Sequence, residues 1–397
     1  MTQPGLRDQG AIALLVAILF GTFVLLGCAA LTIDVGNINL DRRQLQNGAD
    51  SVALAVARDC ANTGTCAPND PSLLTLVNSN AADGATEIRR VDGLTPAICG
   101  NAPGLLPCPA AAAPNSGNLQ ECPSSSLPAS TKYVRVYTET KNAAGTHLLP
   151  YSFGAAITGA GSGANQQACA SVAWGPVDTY TAGAPITISL CMFDALVGGT
   201  EALPPPPDDV VPGYGPGHAS EWPTPSPEQV QYTTKYAGNC ANSNGHAANG
   251  SFGWLTNLSC LSTATTGSWI QGDPGDNEAC DITPYWGKKI LVPIYDCIVA
   301  VPGSGGAPAV PPSPTQTCAI PSGGGSNIYY HIAGWASFYL SGYRFPGDSK
   351  VSKLSGLEIC SSPESCLGGW LTSLQLSNAS TSGGGGGYGV SAVKVVG

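Results

Sequence analysis

The residues that could do chemistry in this sequence are few and widely spaced. The stretch GDPGDNEACD gathers Asp273, Asp276, Glu278 and Asp281 among glycine, proline and asparagine. Oxygen-rich loops of this composition can ligate Ca²⁺. The spacing matches no EF-hand, so a calcium site stands against the plainer reading of an acidic surface turn. His218 and Glu221 form H-x-x-E, but inside a proline-rich stretch that reads as a solvated loop. No G-x-S-x-G occurs. GSGAN and GSGGA lack the helix-forming context that phosphate binding needs. With no nucleophile–base pair to name, the chain reads as a non-enzyme without cofactors. Trp222, Trp254, Trp269, Trp286, Trp335 and Trp370 could line a ligand surface, although core packing is the commoner fate of tryptophan.

Cysteine is the strongest compositional signal. The chain has 15: Cys28 lies inside an apolar segment and the other 14 come after it. None are spaced C-x-x-C and the four histidines do not flank them, so structural zinc is not expected. An even set of 14 reads as a disulfide framework, which implies an oxidising compartment for the chain beyond the apolar segment. Fourteen cysteines allow more than about 10⁵ pairings, so connectivity is open. Sequence neighbours give Cys60–Cys66, Cys169–Cys191, Cys240–Cys260, Cys280–Cys297 and Cys360–Cys366 as candidate bridges. The net charge of −10 and the absence of a basic tract argue against nucleic acid as a partner.

These groups must be positioned by something, and the first element is long. Ala11 to Ile33 is uncharged over 23 residues. About 20 suffice to span a bilayer as a helix, whereas a signal-peptide core is about 7–15. Length therefore favours a membrane anchor. Flanking charge is ambiguous, because Arg7 precedes the span and Arg42 and Arg43 lie beyond it. The cysteines decide the orientation: the amino terminus cytoplasmic and the carboxy-terminal region extracytoplasmic, in a single pass. LLGC at Leu25–Cys28 supplies an alternative, a surface lipoprotein or anchored carbohydrate- or ligand-binding β module lipidated at Cys28. Against it, Leu is a poor residue two before that cysteine, and the uncharged run continues past it.

Beyond the span, Leu40, Leu45, Ala49, Val52 and Val56 recur at helical steps, with Asp41, Arg42, Gln44, Gln46, Asn47 and Asp50 between them. The helix is expected to run on to about Arg58. Gly36 and Gly48 weaken it by about 1 kcal/mol each relative to alanine, so a bend is expected near either if anywhere. The narrow Ala/Val stripe suits close packing on a partner helix, or docking on the chain's own globular part.

The run RDQGAIALLVAILFGTFVLLGCAALTIDVGNINLDRRQLQNGADSVALAVA resembles the amino-terminal segment of the TadE/TadG-like group of Tad (tight adherence) Flp-pilus assembly proteins. The matching pieces are RDQGA, the apolar run, IDVG, RRQLQNGAD and SVALAVA, over roughly residues 7–58. VAWGP, ITISLC, SFGWL and HIAGWASFYLSGYRF are similar, less specifically, to actinobacterial members. The resemblance implies a minor pilin-like or accessory envelope protein, with pilin-like or Tad machinery proteins and the lipid bilayer as partners. Two features depart from it. Prepilin processing after Gly10 usually wants Glu at the fifth position beyond, which here is Leu15. No D-x-S-x-S occurs, so a von Willebrand A adhesion site is not implied.

The rest reads as mainly β. Strand-like alternation occurs over 131–139, 185–193, 288–301, 327–343 and 388–396. Proline- and glycine-rich connectors fall at 202–227, 301–316 and 382–387. The expected class is α+β: a long transmembrane, pilin-like helix leading into a mainly β, disulfide-rich ectodomain. The expected divisions are a tail at 1–10, a span at 11–33, a helical extension at 34–58, Cys-rich β regions at 59–200 and 231–397, and a linker at 201–230. That linker either separates two lobes or is an excursion from one domain.

Overall fold

A computed structural model describes residues 6–89, 96–108, 131–155, 162–197, 229–232, 252–256, 259–273, 280–302, 306, 308, 326–353, 356–377, 379–381 and 387–396. The fold is α+β, with one long apolar helix and a mainly strand ectodomain carrying several disulfides. Its helices include α1 (Leu6–Thr63), α2 (Ser72–Asn78) and α3 (Leu190–Val197). The strands are β1 (Thr86–Glu87), β2 (Ile98–Gly100), β3 (Lys132–Thr140), β4 (Leu149–Pro150), β5 (Gly163–Ala164), β6 (Gln167–Pro176), β7 (Thr179–Ala182), β8 (Ile186–Ser189) and β9 (Gln229–Tyr232). They continue as β10 (Phe252–Trp254), β11 (Ser262–Thr265), β12 (Trp269–Gln271), β13 (Lys288–Pro302), β14 (Ser326–Phe345), β15 (Asp348–Lys350), β16 (Cys366–Thr372), β17 (Leu374–Leu376) and β18 (Val390–Val395).

Two sheets carry the ectodomain. The first runs β1-β3-β6-β18-β17, with β2 also on β3. The second runs β10-β8-β13-β14-β16-β9, with β12 and β15 also on β14. Period-two alternation explains how they stack. In β18, Val393 faces a core shared with α1 and α2, whereas Val390 and Ala392 face a core between the sheets. In β13, Ile290, Val292 and Ile294 face a third core roofed by Met192 and Phe193 of α3, while Leu291 faces the core between the sheets. A bulge at Tyr295–Cys297 then shifts the register of β13 against β14.

The sheets do not divide the chain where its proline content does. β8 precedes the proline-rich stretch yet joins the second sheet, and β17 and β18 come from the carboxy-terminal end yet complete the first. The 185–193 stretch also differs from its expectation as one strand. Ile186–Ser189 is β8, and Leu190 begins α3. LCMFDALV lacks the polar residue at every second position that a half-buried strand needs, and Met192 and Phe193 are both buried.

The described bridges are Cys60–Cys66, Cys99–Cys108, Cys260–Cys280 and Cys360–Cys366. Cys260 therefore does not pair with Cys240, nor Cys280 with Cys297. The reason is placement. Cys260 sits in the turn before β11 with its Cα 5.2 Å from that of Cys280, whereas Cys297 lies within β13 at its bulge. Cys169, Cys191 and Cys297 are disulfide-bonded as well. The Cys260–Cys280 bridge closes a loop with a sequence separation of 20. By the chain-entropy relation a loop of that length stabilises by about 3 kcal/mol. A Cys260→Ser/Cys280→Ser chain is expected to lose about that much in urea unfolding, with the m-value raised because the unfolded chain is freed of a cross-link.

Candidate membrane anchor and helix-docking site

One helix joins the apolar segment to the ectodomain. α1 is 58 residues long, or about 87 Å at 1.5 Å per residue. It runs unbroken through Gly36 and Gly48 and ends at Thr63, five residues past the expected end. Its two halves meet different surroundings. Among the described residues it is the one helix long and apolar enough to cross a membrane, by length and composition. From Ala13 to Ile33 it is bare of protein, with Leu25 71% exposed. Cys28 lies in this stretch as an exposed free thiol.

The carboxy-terminal half is covered. Leu45, Ala49, Val52 and Val56 are buried, joined by Ala53, Ala57 and Cys60. All of these but Leu45 belong to a core with Val134, Val136, Ala170, Val172, Trp174 and Val393 of the first sheet and with Leu73 and Val77 of α2. The stripe is therefore satisfied within the chain. Leu40, its expected first member, is 53% exposed and outside this core. The cause is reach, since the polar contacts of the helix with β3 begin at Asp41 and Leu45. The Thr140 hydroxyl donates to Asp41 Oδ2 at 2.7 Å, and the Thr138 hydroxyl donates to the Leu45 carbonyl at 3.0 Å. Gly48 marks a close crossing: a Cβ there would come 2.7 Å from Cγ2 of Val77. A residue that weakens a lone helix thus lets α2 seat against it.

Polar side chains pin the docked half along its length. Gln46 Nε2 donates to the Cys169 carbonyl at 3.1 Å, and at the far end Gln375 Nε2 donates to the Arg58 carbonyl at 2.8 Å. Nearer the span, Asp34 is buried and accepts three backbone N–H groups. Oδ1 takes Ser152 at 2.7 Å and Phe153 at 3.2 Å, and Oδ2 takes Gly154 at 2.6 Å.

These carboxyls respond to pH in opposite senses. Burial pushes Asp34 up, but the amides of Gly154, Ser152 and Phe153 outweigh it and leave the group below the ordinary aspartate value. Its contribution is present above the unfolded value and is lost as pH falls through the lowered one. Burial raises Asp41, with the Thr140 hydroxyl opposing and the Asp83 charge adding to the rise. Burial likewise raises Asp50, against the hydrogen bond from Gln46. Those two favour the docked state below their unfolded values, and the gain is lost as pH rises through the raised ones.

Residues 10–59 match the Tad family model, described as "Putative Flp pilus-assembly TadE/G-like". Over this segment the chain is similar to that family. The match ends close to where the helix ends its docking, so the TadE/G-like segment comprises the bare span, the Asp34 contact and the buried stripe. No curated protein and no solved structure matches the chain.

The other residues with chemical potential lie away from the TadE/G-like segment. Asp281 accepts the Thr283 amide at 2.8 Å in a local turn, and Asp273 is described nearby, whereas Asp276 and Glu278 fall outside the described residues. Among the described residues no group of three metal-ligating side chains occurs. His218, Glu221 and Trp222 also fall outside them. The remaining tryptophans belong mostly to the cores: Trp254, Trp335 and Trp370 are buried, as is Trp174. Trp286 donates to the Ser341 carbonyl at 2.8 Å under the Lys353 ammonium, 3.4 Å from its ring centroid.

Sequence patterns gave no sign of one further pair. His331 Nδ1 is 2.7 Å from Asp296 Oδ1, and His331 Nε2 is buried with no hydrogen-bond partner among the described residues. The two sit 35 positions apart, brought together by the β13–β14 register at the bulge, so no local motif could have flagged them.

Proposed function

We propose that the protein is a non-enzymatic, membrane-anchored minor pilin-like or accessory protein of Flp (Tad) pilus assembly. The observation that carries this reading is the coincidence of the family match at 10–59 with a single helix, bare over its apolar half and fixed to the ectodomain over the rest. In this reading residues 11–33 cross the bilayer once and the amino terminus is cytoplasmic. The disulfide-bonded β region lies outside the cytoplasm, where disulfides form and persist.

The buried stripe adds a constraint on partners. Leu45, Ala49, Val52 and Val56 are occupied within the chain, so assembly contacts fall to the exposed apolar surface ahead of them. That surface includes Leu31 and Val35 on one side of the helix and Ile33 and Leu40 on the other, together with the outer surface of the ectodomain. In lipid such contacts depend on van der Waals packing and interhelical hydrogen bonds. Exchange of residues 11–33 for an unrelated apolar span of equal length is expected to keep the protein in the membrane and to abolish pilus assembly. Leu40→Asp is expected to leave the fold intact, within about 0.5 kcal/mol for an exposed position, while reducing pilus yield. Normal piliation in both chains would overturn the assembly role.

A lipoprotein is the second reading, favoured only by Cys28 being an exposed free thiol in the LLGC context. The intact mass of the membrane-extracted protein separates the two. A diacylglycerol adduct on an amino-terminal Cys28 supports lipidation, and a chain that retains residues 11–27 excludes it.

A further inference from the structure

The loop that Asp34 holds has no part in the docking core. It lies beyond β3, includes the short β4–β5 pair, and carries Tyr151-Ser152-Phe153-Gly154 onto α1 directly after β4. Two of its apolar side chains are exposed, Phe153 by 51% and Leu148 by 40%. Polar contacts fix it to the helix nonetheless. Besides the three amides on Asp34, Asn37 Nδ2 donates to Ser152 Oγ at 3.3 Å. Gly154 is required by the fit, because a Cβ there would come 2.9 Å from Asp34 Oδ2.

The height of this contact along α1 is its informative feature. Asp34 comes immediately after the uncharged run that ends at Ile33. A helix of 23 residues spans about 34 Å, close to the hydrocarbon thickness of about 30 Å. Asp34 is then at the headgroup boundary, and the loop lies beside the helix at the same level. Phe and Leu side chains of surface-lying segments enter that boundary.

We infer that the Leu148–Gly154 loop is a second membrane contact, with Phe153 and Leu148 entering the headgroup–acyl boundary of the bilayer crossed by residues 11–33. This rests on the single-pass reading. The lipid is favoured over a protein partner by continuity, since Asp34, which holds the loop, directly follows the exposed apolar residues Leu31 and Ile33 in the helix. Asp34 acts as the latch: it satisfies three backbone donors and sets the loop at a fixed height. The ectodomain would then rest on the membrane at two points and not sway on one helix.

The test uses the full chain in vesicles of phosphatidylcholine brominated at shallow or deep acyl positions. Phe153→Trp and Leu25→Trp are each compared with the parent chain, so that only the added emission is read. The expected result is loss of most of the Phe153→Trp signal with shallow bromines and little with deep ones, while Leu25→Trp is quenched by the deep ones. In an Asp34→Ala background the Phe153→Trp quenching is expected to fall and the Leu25→Trp quenching to persist. Quenched Leu25→Trp beside unquenched Phe153→Trp overturns the second contact alone and leaves the loop as a protein-docking surface. Absence of quenching at both positions overturns the single-pass reading itself. Full Phe153→Trp quenching without the Asp34 carboxylate overturns its role as latch.

Discussion

Val52→Asp is expected to unfold the first sheet together with the α1 and α2 helices packed on it. Val52 has no solvent exposure and sits in the core that α1 and α2 share with the first sheet. A carboxylate placed there has no described cation beside it. The substitution removes a buried apolar side chain worth about 1.5–3 kcal/mol and adds the cost of burying a polar or charged group. The sum approaches the roughly 5–15 kcal/mol that holds an ordinary domain together. The readouts are protease resistance of the membrane-extracted chain and the near-ultraviolet signal of its tryptophans, Trp174 among them. Both should be lost, whereas Val52→Ala should cost only about 1–3 kcal/mol and retain both. An equally resistant Val52→Asp chain would show that the helix does not dock on this sheet.

The second large effect is expected from Trp335→Ala. Trp335 is among the largest fully buried side chains and fills the core between the two sheets. Its ring meets Tyr180 edge-on at 5.7 Å between centroids, and its Nε1 donates to the Asp178 carbonyl at 3.3 Å. Truncation leaves a cavity and removes one donor from that carbonyl, which keeps the Thr266 amide at 2.9 Å. Losses of about 3–5 kcal/mol are typical of buried tryptophan. The midpoint of urea unfolding should fall accordingly. A retained midpoint would mean that the two sheets do not depend on each other for stability.

Both effects were only partly legible in the sequence. The helix was legible because its signals are local: an uncharged run of spanning length, then Leu45, Ala49, Val52 and Val56 at helical steps. What covered the stripe was not, because β3, β6 and β18 are drawn from three distant parts of the chain. Leu40 shares the period but not the contact, and periodicity cannot say where a docking surface starts. The strands at 131–139, 288–301 and 327–343 stood out by alternation, and β3, β13 and β14 occupy those places. α2 gave no usable signal, since its seven residues are too few for a period. Cys260–Cys280 defeats sequence-neighbour pairing because a disulfide needs Cα atoms about 4.4–6.8 Å apart, which sequence distance does not measure. Asp34 reads locally as no more than the first acidic residue after the uncharged run. Its backbone partners lie 118 to 120 residues away.

The position of β18 sets a timetable. Its Ser391–Val395 pairs with Val172–Pro176 of β6, some of whose own side chains lie against α1. A chain made from its amino terminus delivers α1 first, then β3 and β6, then the whole second sheet, and only then this strand. Until it arrives, β6 presents an unpaired edge beside the docked helix, the kind of edge that pairs with other chains. The sheet that holds the anchor helix is thus the last to close.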